Sequence, residues 1–147
     1  MRLVVQRVSR AAVRVAGRTV AEIGPGLLVL AGVGREERDD DVRWMAGKLA
    51  GLRIFEDEDG KMNRSLADVG GGVLIVPQFT LYGDVRKGRR PSWAGAAPPE
   101  EARRWVERFA SAVEAAGVTV RRGSFQEHME VELVNDGPVT LVLDPPA

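Results

Sequence analysis

Few residues in this chain are equipped for chemistry, and most of them sit in three places. Gln78-Phe79-Thr80 brings an amide, an aromatic ring and a hydroxyl to the end of the apolar run Val73–Val76. Arg86-Lys87-Gly88-Arg89-Arg90 puts four cations within five residues beside Pro91-Ser92-Trp93, a local patch suited to phosphates or to stacking on a base. A solvated loop reads equally well there. Asn135-Asp136-Gly137-Pro138 has two readings. Asp-Gly is a common hairpin pair, and spacing favours that turn. A Gly-Pro bond can also be cis, and Gly137 lets a ligand approach the backbone closely.

Other candidates carry less. Thr80 is a nucleophile only if a base stands beside it, and none is near in sequence. His128 is the single histidine, and its parity groups it with Glu130 and Glu132 on a polar strand face, so a solvated role is expected. A multi-histidine metal site is excluded within one chain. Glu56-Asp57-Glu58-Asp59-Gly60 lacks the alternating spacing of a calcium loop. Gly70-Gly71-Gly72 precedes a strand rather than a helix, which disfavours a phosphate-cradling loop. Neither a metal nor a cofactor is expected.

These residues need a scaffold, and 147 residues suffice for a single domain, 1–147, with a sizeable core. Formal net charge is zero, so any polyanion site must be a local patch. Cysteine is absent, which excludes disulfides and thiolate chemistry and suits a cytoplasmic location. No apolar run approaches the roughly 18 residues of a membrane span, and the N-terminus lacks a signal-like stretch. No membrane partner is expected.

Alternation predicts a strand over Leu3 to Val15, a turn at Gly17, and a second strand from Thr19 to Ile23. After Gly24-Pro25-Gly26, the continuous apolar run Leu27–Ala31 reads as a strand covered on both faces. Asp39-Asp40-Asp41 opens a helix with Val42, Met45, Ala46, Leu49 and Leu52 inward. Glu56 to Lys61 is a turn, and Val73–Val76 resumes strand. Pro98-Pro99-Glu100-Glu101 opens a second helix with Ala102, Trp105, Val106, Phe109, Val113 and Ala116 inward, ending at Gly117. Two final strands, Met129 to Leu133 and Val139 to Leu143, are expected on either side of Asn135–Pro138. The expected fold is one compact α/β domain with a largely antiparallel or mixed sheet and two main helices.

In order along the chain, the blocks Val5–Ala11, Gly26–Val33, Lys48–Phe55, Gly60–Leu66, Gln78–Leu81, Lys87–Trp93 and Val134–Thr140 resemble the D-aminoacyl-tRNA deacylases of the bacterial and eukaryotic type. The resemblance implies an enzyme with that family's fold. It would hydrolyse the ester joining a D-amino acid, or glycine mischarged onto tRNA-Ala, to the 3′ end of tRNA. It implies a homodimer with the active site at the subunit interface. Gln78, Phe79 and Thr80 would line the pocket, and Gly137 and Pro138, joined by a cis bond, would reach in from the other subunit. Arg7 and Asn135 would belong to the substrate-binding set, Arg7 holding the Gly-Pro loop. Independently of the resemblance, the charge of the loop makes Arg86, Lys87, Arg89 and Arg90 the candidates for contacting the RNA. The sequence departs from the family where Pro77 replaces the usual serine, where Trp93 replaces phenylalanine, and in the Gly123–Met129 segment that holds His128. A non-catalytic nucleic-acid-binding dimer of the same fold is the alternative.

Overall fold

The computed structural model describes residues 1–146. Strand β1 (Arg2–Val15) organises the sheet. Leu3, Val5 and Arg7 take its alternate inward positions. Irregular pairing on either side of Val8 then shifts the phase, so Val8, Ala11 and Val13 join a second apolar cluster. β2 (Arg18–Ile23) and β3 (Gly26–Gly32) follow one another along one edge of β1, both antiparallel to it. β6 (Gly72–Pro77) lies parallel to β3, and β7 (Thr119–Arg122) lies parallel to β6. The small hairpin β4 (Phe55–Glu56) with β5 (Met62–Arg64) stands apart.

The last strand corrects the sequence expectation. Instead of two strands around a hairpin, β8 (Glu130–Leu143) is continuous and covers the other edge of β1. Val131–Leu133 pair with Val13–Ala11, and Thr140–Leu143 pair with Gln6–Leu3, so the chain never reverses. Asp136-Gly137 lies in a bulge. The two steps from Gln6 to Val8 oppose the five from Asn135 to Thr140, and the surplus backbone leaves the ladder.

Helix α1 (Asp39–Gly51) carries three aspartates in its first turn and buries Val42, Met45, Ala46 and Leu49. Helix α3 (Pro99–Ala115) begins with proline and two glutamates and buries Ala102, Val106, Phe109, Ala110 and Val113. Ala116, expected inward, is exposed just past its end, and Ala110 takes that role. Both helices share a core with Leu3, Val5, Leu27, Val29, Val73 and Ile75. Helix α2 (Leu66–Val69), a single turn the sequence reading missed, is fixed by a reciprocal Ser65–Asp68 cap and by Gly70 in the left-handed conformation.

Pro77 gains a physical account. The Ile75 carbonyl accepts from Gly123 N–H on the β7 side, and Gln78 N–H donates to Ala31 O on the β3 side at 2.8 Å. By alternation the Pro77 nitrogen faces the β7 side, beyond the point where β7 pairing has ended. A residue without N–H loses nothing there.

Candidate active site

At the carboxyl ends of parallel β3 and β6 the chain leaves the sheet, the place where open α/β sheets form ligand crevices. Phe79–Tyr82 is a single 3-10 turn, closed by Leu81 N–H to Gln78 O at 3.2 Å and Gly83 N–H to Thr80 O at 2.9 Å. Two glycines let the turn lie directly on the end of β3. A Cβ on Gly32 would stand 2.9 Å from Leu81 Cβ, and one on Gly34 would stand 2.9 Å from the Tyr82 ring. Burial pushes the Tyr82 phenol up to about 12, with the Glu37 charge acting in the same direction.

Phe79 and Thr80 open the turn, so their N–H groups have no carbonyl within it, and neither has a partner among the described residues. The Gln78 side-chain amide donates to Thr80 Oγ1. No histidine, carboxylate or amine bonds the Thr80 hydroxyl among the described residues. The arrangement offers hydrogen-bond donors and no base.

Beside the turn lies a cleft of about 730 Å³, lined by Gln78, Phe79, Val33, Phe125 and Met129 with Arg35, Glu127 and His128. His128 is exposed, as expected, yet it stands on the wall of this cleft rather than away from it. Sequence reasoning also missed Arg35 and the start of α3, Pro98 to Val106, which lines the opposite wall. Consecutive apolar runs in β3 and β6, the mark of parallel neighbours, were the available signal. Among the described residues, no group of three or more His, Asp or Glu side chains is gathered to hold a metal ion.

The arginine loop is braced against the turn. Asp84 and Ser92 exchange two backbone hydrogen bonds of 2.8 Å at its base. Trp93 meets Phe79 edge-on, ring centroids 5.2 Å apart at 70°. Arg86 is already engaged, since Asp84 accepts from its Nε at 2.9 Å, its Nη2 at 2.7 Å and its N–H at 3.0 Å. Those bonds hold the Asp84 carboxyl down to about 2. Lys87, Arg89 and Arg90 remain exposed and without ion pairs among the described residues.

Gly137 and Pro138 stand elsewhere. Their peptide bond is cis, and both residues are exposed on the β8 bulge. Arg7, only 4% exposed, supports the bulge from beneath: Nε donates to Asp136 O at 2.8 Å and Nη1 to Ile54 O at 2.7 Å. The Asn135 side chain closes the bulge, accepting from Val139 N–H at 2.9 Å and donating to Thr140 Oγ1 at 3.0 Å. Neither Gly137 nor Pro138 lines the cleft of Gln78 and Phe79 in the same chain.

The profile of one family, described as D-Tyr-tRNA(Tyr) deacylase, matches residues 4–144. The chain belongs to that deacylase family. It is 59% identical over 144 residues to a D-aminoacyl-tRNA deacylase of Heliobacterium modesticaldum, covering 98% of this chain and 96% of the relative. Among solved structures it resembles one titled c-Myc DNA Unwinding Element Binding Protein, with a TM-score of 0.93, 38% identity and both chains covered fully. A probable eukaryotic D-amino acid tRNA deacylase shares the fold, with a TM-score of 0.83 at 21% identity over 97% of each chain. Membership in this family of aminoacyl-tRNA ester hydrolases gives the cleft and its unpartnered donors an enzymatic context.

Proposed function

We propose that the chain hydrolyses the ester between a D-amino acid and the 3′ end of tRNA, in a pocket completed by a second copy of itself. The observation that carries this reading is the pair of unpartnered N–H groups of Phe79 and Thr80, on a turn from which Gln78 and Phe79 line the cleft and Thr80, contrary to expectation, does not. An aminoacyl ester is already activated. Donors aimed at its developing oxyanion contribute about 2.7–4 kcal/mol each, as judged from their removal. Holding the ester beside a water or the ribose 2′-hydroxyl adds the advantage of proximity. The RNA's own hydroxyl then assists, and no side-chain base is required.

Selection against L-amino acids is assigned to Gly137-Pro138 of the opposite subunit. Its carbonyls face the α-carbon, accept a hydrogen or a D-side chain, and clash with an L-side chain. What supports this is the outward presentation of the bulge and its fixation by Arg7 and Asn135, away from the chain's own cleft. Because the gate excludes rather than recognises, many D-amino acids and glycine, including glycyl-tRNA-Ala, should be accepted. The working place is the cytoplasm, where charged tRNA is found.

A second reading has one observation in its favour. The 38%-identical relative is titled a DNA-element-binding protein, so the same fold here could bind nucleic acid without hydrolysis. Release of amino acid from D-Tyr-tRNA and from L-Tyr-tRNA separates the two, with a Gly137→Ala/Pro138→Ala double variant as control. Rapid D-selective release that the double variant loses supports the deacylase. Equal rates on D and L forms remove the gate, and tRNA binding without release supports the second reading. Full activity in a species that sediments as a monomer refutes the two-chain pocket.

A further inference from the structure

The outer face of α1 carries a second concentration of positive charge, away from the cleft and the arginine loop. A shallow groove of about 480 Å³ is lined by Arg43, Trp44, Lys48 and Arg53, with Gly47 and Gly51 on its floor, and no carboxylate lines it. Arg43 pairs with Asp40 at 3.2 Å on the same helix. Lys48 and Arg53 make no ion pair among the described residues. Asp68, held below its usual range mainly by its bonds to Ser65, also feels the Arg53 charge but lies outside the groove. In a chain of zero net charge, such a one-sided cluster is a local field rather than a share of a general one.

Two further features leave this surface open. Trp44 is 37% exposed, with Lys48 Nζ 5.2 Å from its ring centroid, so an aromatic plane and a cation share one surface. A Cβ added to Gly47 or Gly51 would meet nothing within 4 Å, so packing does not require glycine there, and alanine is the better helix former. Without side chains at these positions the groove floor stays at backbone level, open to something broad and negatively charged.

We propose that this groove docks the ribose-phosphate backbone of the substrate tRNA at a distance from the reacting ester. The inference rests on the deacylase reading, which makes tRNA the substrate. A tRNA held by its 3′ end extends far beyond the cleft, so a basic surface elsewhere on the enzyme has RNA backbone within its reach. Lys48 and Arg53, which have no acidic partner among the described residues, beside an exposed aromatic match RNA backbone better than they match an acidic peptide, which offers no ribose to the Trp44 ring.

The test uses the full chain, D-Tyr-tRNA and uncharged tRNA. In Lys48→Gln/Arg53→Gln, KM for D-Tyr-tRNA should rise roughly tenfold, while kcat stays within about twofold. The slope of log affinity against log salt for uncharged tRNA should fall by about 1.5–2. Trp44→Ala should raise KM without touching kcat. Gly47→Lys adds a cation to the open floor and should lower KM about two- to threefold, a gain that partial unfolding cannot imitate. Unchanged KM and salt slope in both the loss and the gain variants overturn the proposal, as does tRNA binding unaffected by variants that abolish binding of polyglutamate. Wild-type chain that binds tRNA but releases no D-tyrosine overturns the deacylase reading instead, and the salt slopes still decide the groove.

Discussion

The Arg7 guanidinium donates to the Asp136 carbonyl at 2.8 Å from a position in the core row of β1, two residues beyond Val5. One buried cation therefore fixes the bulge of the neighbouring strand. Its second bond, to Ile54 O at 2.7 Å, ties that bulge to the segment entering β4. The carboxylates of Glu56 and Asp136, at 3.8 and 3.7 Å, are largely exposed and contribute little beyond neutralisation.

Arg7→Ala leaves two carbonyls without donors and should cost about 2–5 kcal/mol of stability in urea unfolding. Arg7→Lys should not rescue it, because one ammonium does not reproduce the fork that serves both carbonyls. Turnover of D-Tyr-tRNA, measured where the variants remain folded, should fall at least about tenfold, since positioning errors at a site are costly. Full turnover in a folded Arg7→Ala chain shows that the bulge keeps its place without this anchor.

Thr80 accepts from the Gln78 amide and has no base beside it. Thr80→Ala should therefore keep at least about a tenth of wild-type turnover, because an unactivated hydroxyl is a poor nucleophile. A loss near a thousandfold, with an unchanged melting curve, makes Thr80 the attacking group and sinks the backbone-donor mechanism.

Local pattern carried much of this architecture. Period-two alternation located β1 and β2, helical spacing located α1 and α3, and the unbroken apolar runs located β3 and β6 as buried strands, though not their parallel pairing. The β8 error has a specific cause. Asn-Asp-Gly-Pro is turn chemistry at short range, but whether the chain reverses depends on what the flanking segments pair with. Here both flanks pair with β1. The cleft was only half legible, since Gln78 and Phe79 declared themselves by interrupting an apolar strand. Arg35, Val106 and His128 reach the same space from other elements, and no local spacing encodes that convergence. The Asp84–Arg86 clamp was equally invisible, although its partners stand two residues apart, because it depends on the loop folding back.

That clamp divides the arginine loop. With Arg86 committed to Asp84, removing Arg89 and Arg90 by alanine substitution should weaken tRNA binding and lower the salt slope by about 1.5–2. Asp84→Asn should act oppositely, freeing the guanidinium and raising the slope by up to about 1. The Asp84–Ser92 backbone pairing does not use the carboxylate, so the loop base should survive the change. Salt slopes that stay the same in both variants return the loop to a solvated role.

Tyr82 gives a direct readout of how the Phe79–Tyr82 turn is seated. It is the only tyrosine, so absorbance of the phenolate near 295 nm reports this ring alone. Burial, with Glu37, moves the folded phenol from 10.0 to about 12, while Arg2 opposes the shift. A raised folded value means that the native state holds the proton after the unfolded chain has lost it. Stability should therefore be unaffected below about pH 10 and should decline between about 10 and about 12. Tyr82→Phe should remove that decline. A midpoint near 12 in the folded chain and near 10 in urea confirms the buried seat. A folded midpoint near 10 refutes it. Gly34→Ala places a Cβ 2.9 Å from the ring and should displace it, so the midpoint should drop toward 10 and kcat should fall with it. A lower midpoint with unchanged kcat separates the ring from catalysis and removes Tyr82 as the support of the Phe79 and Thr80 donors.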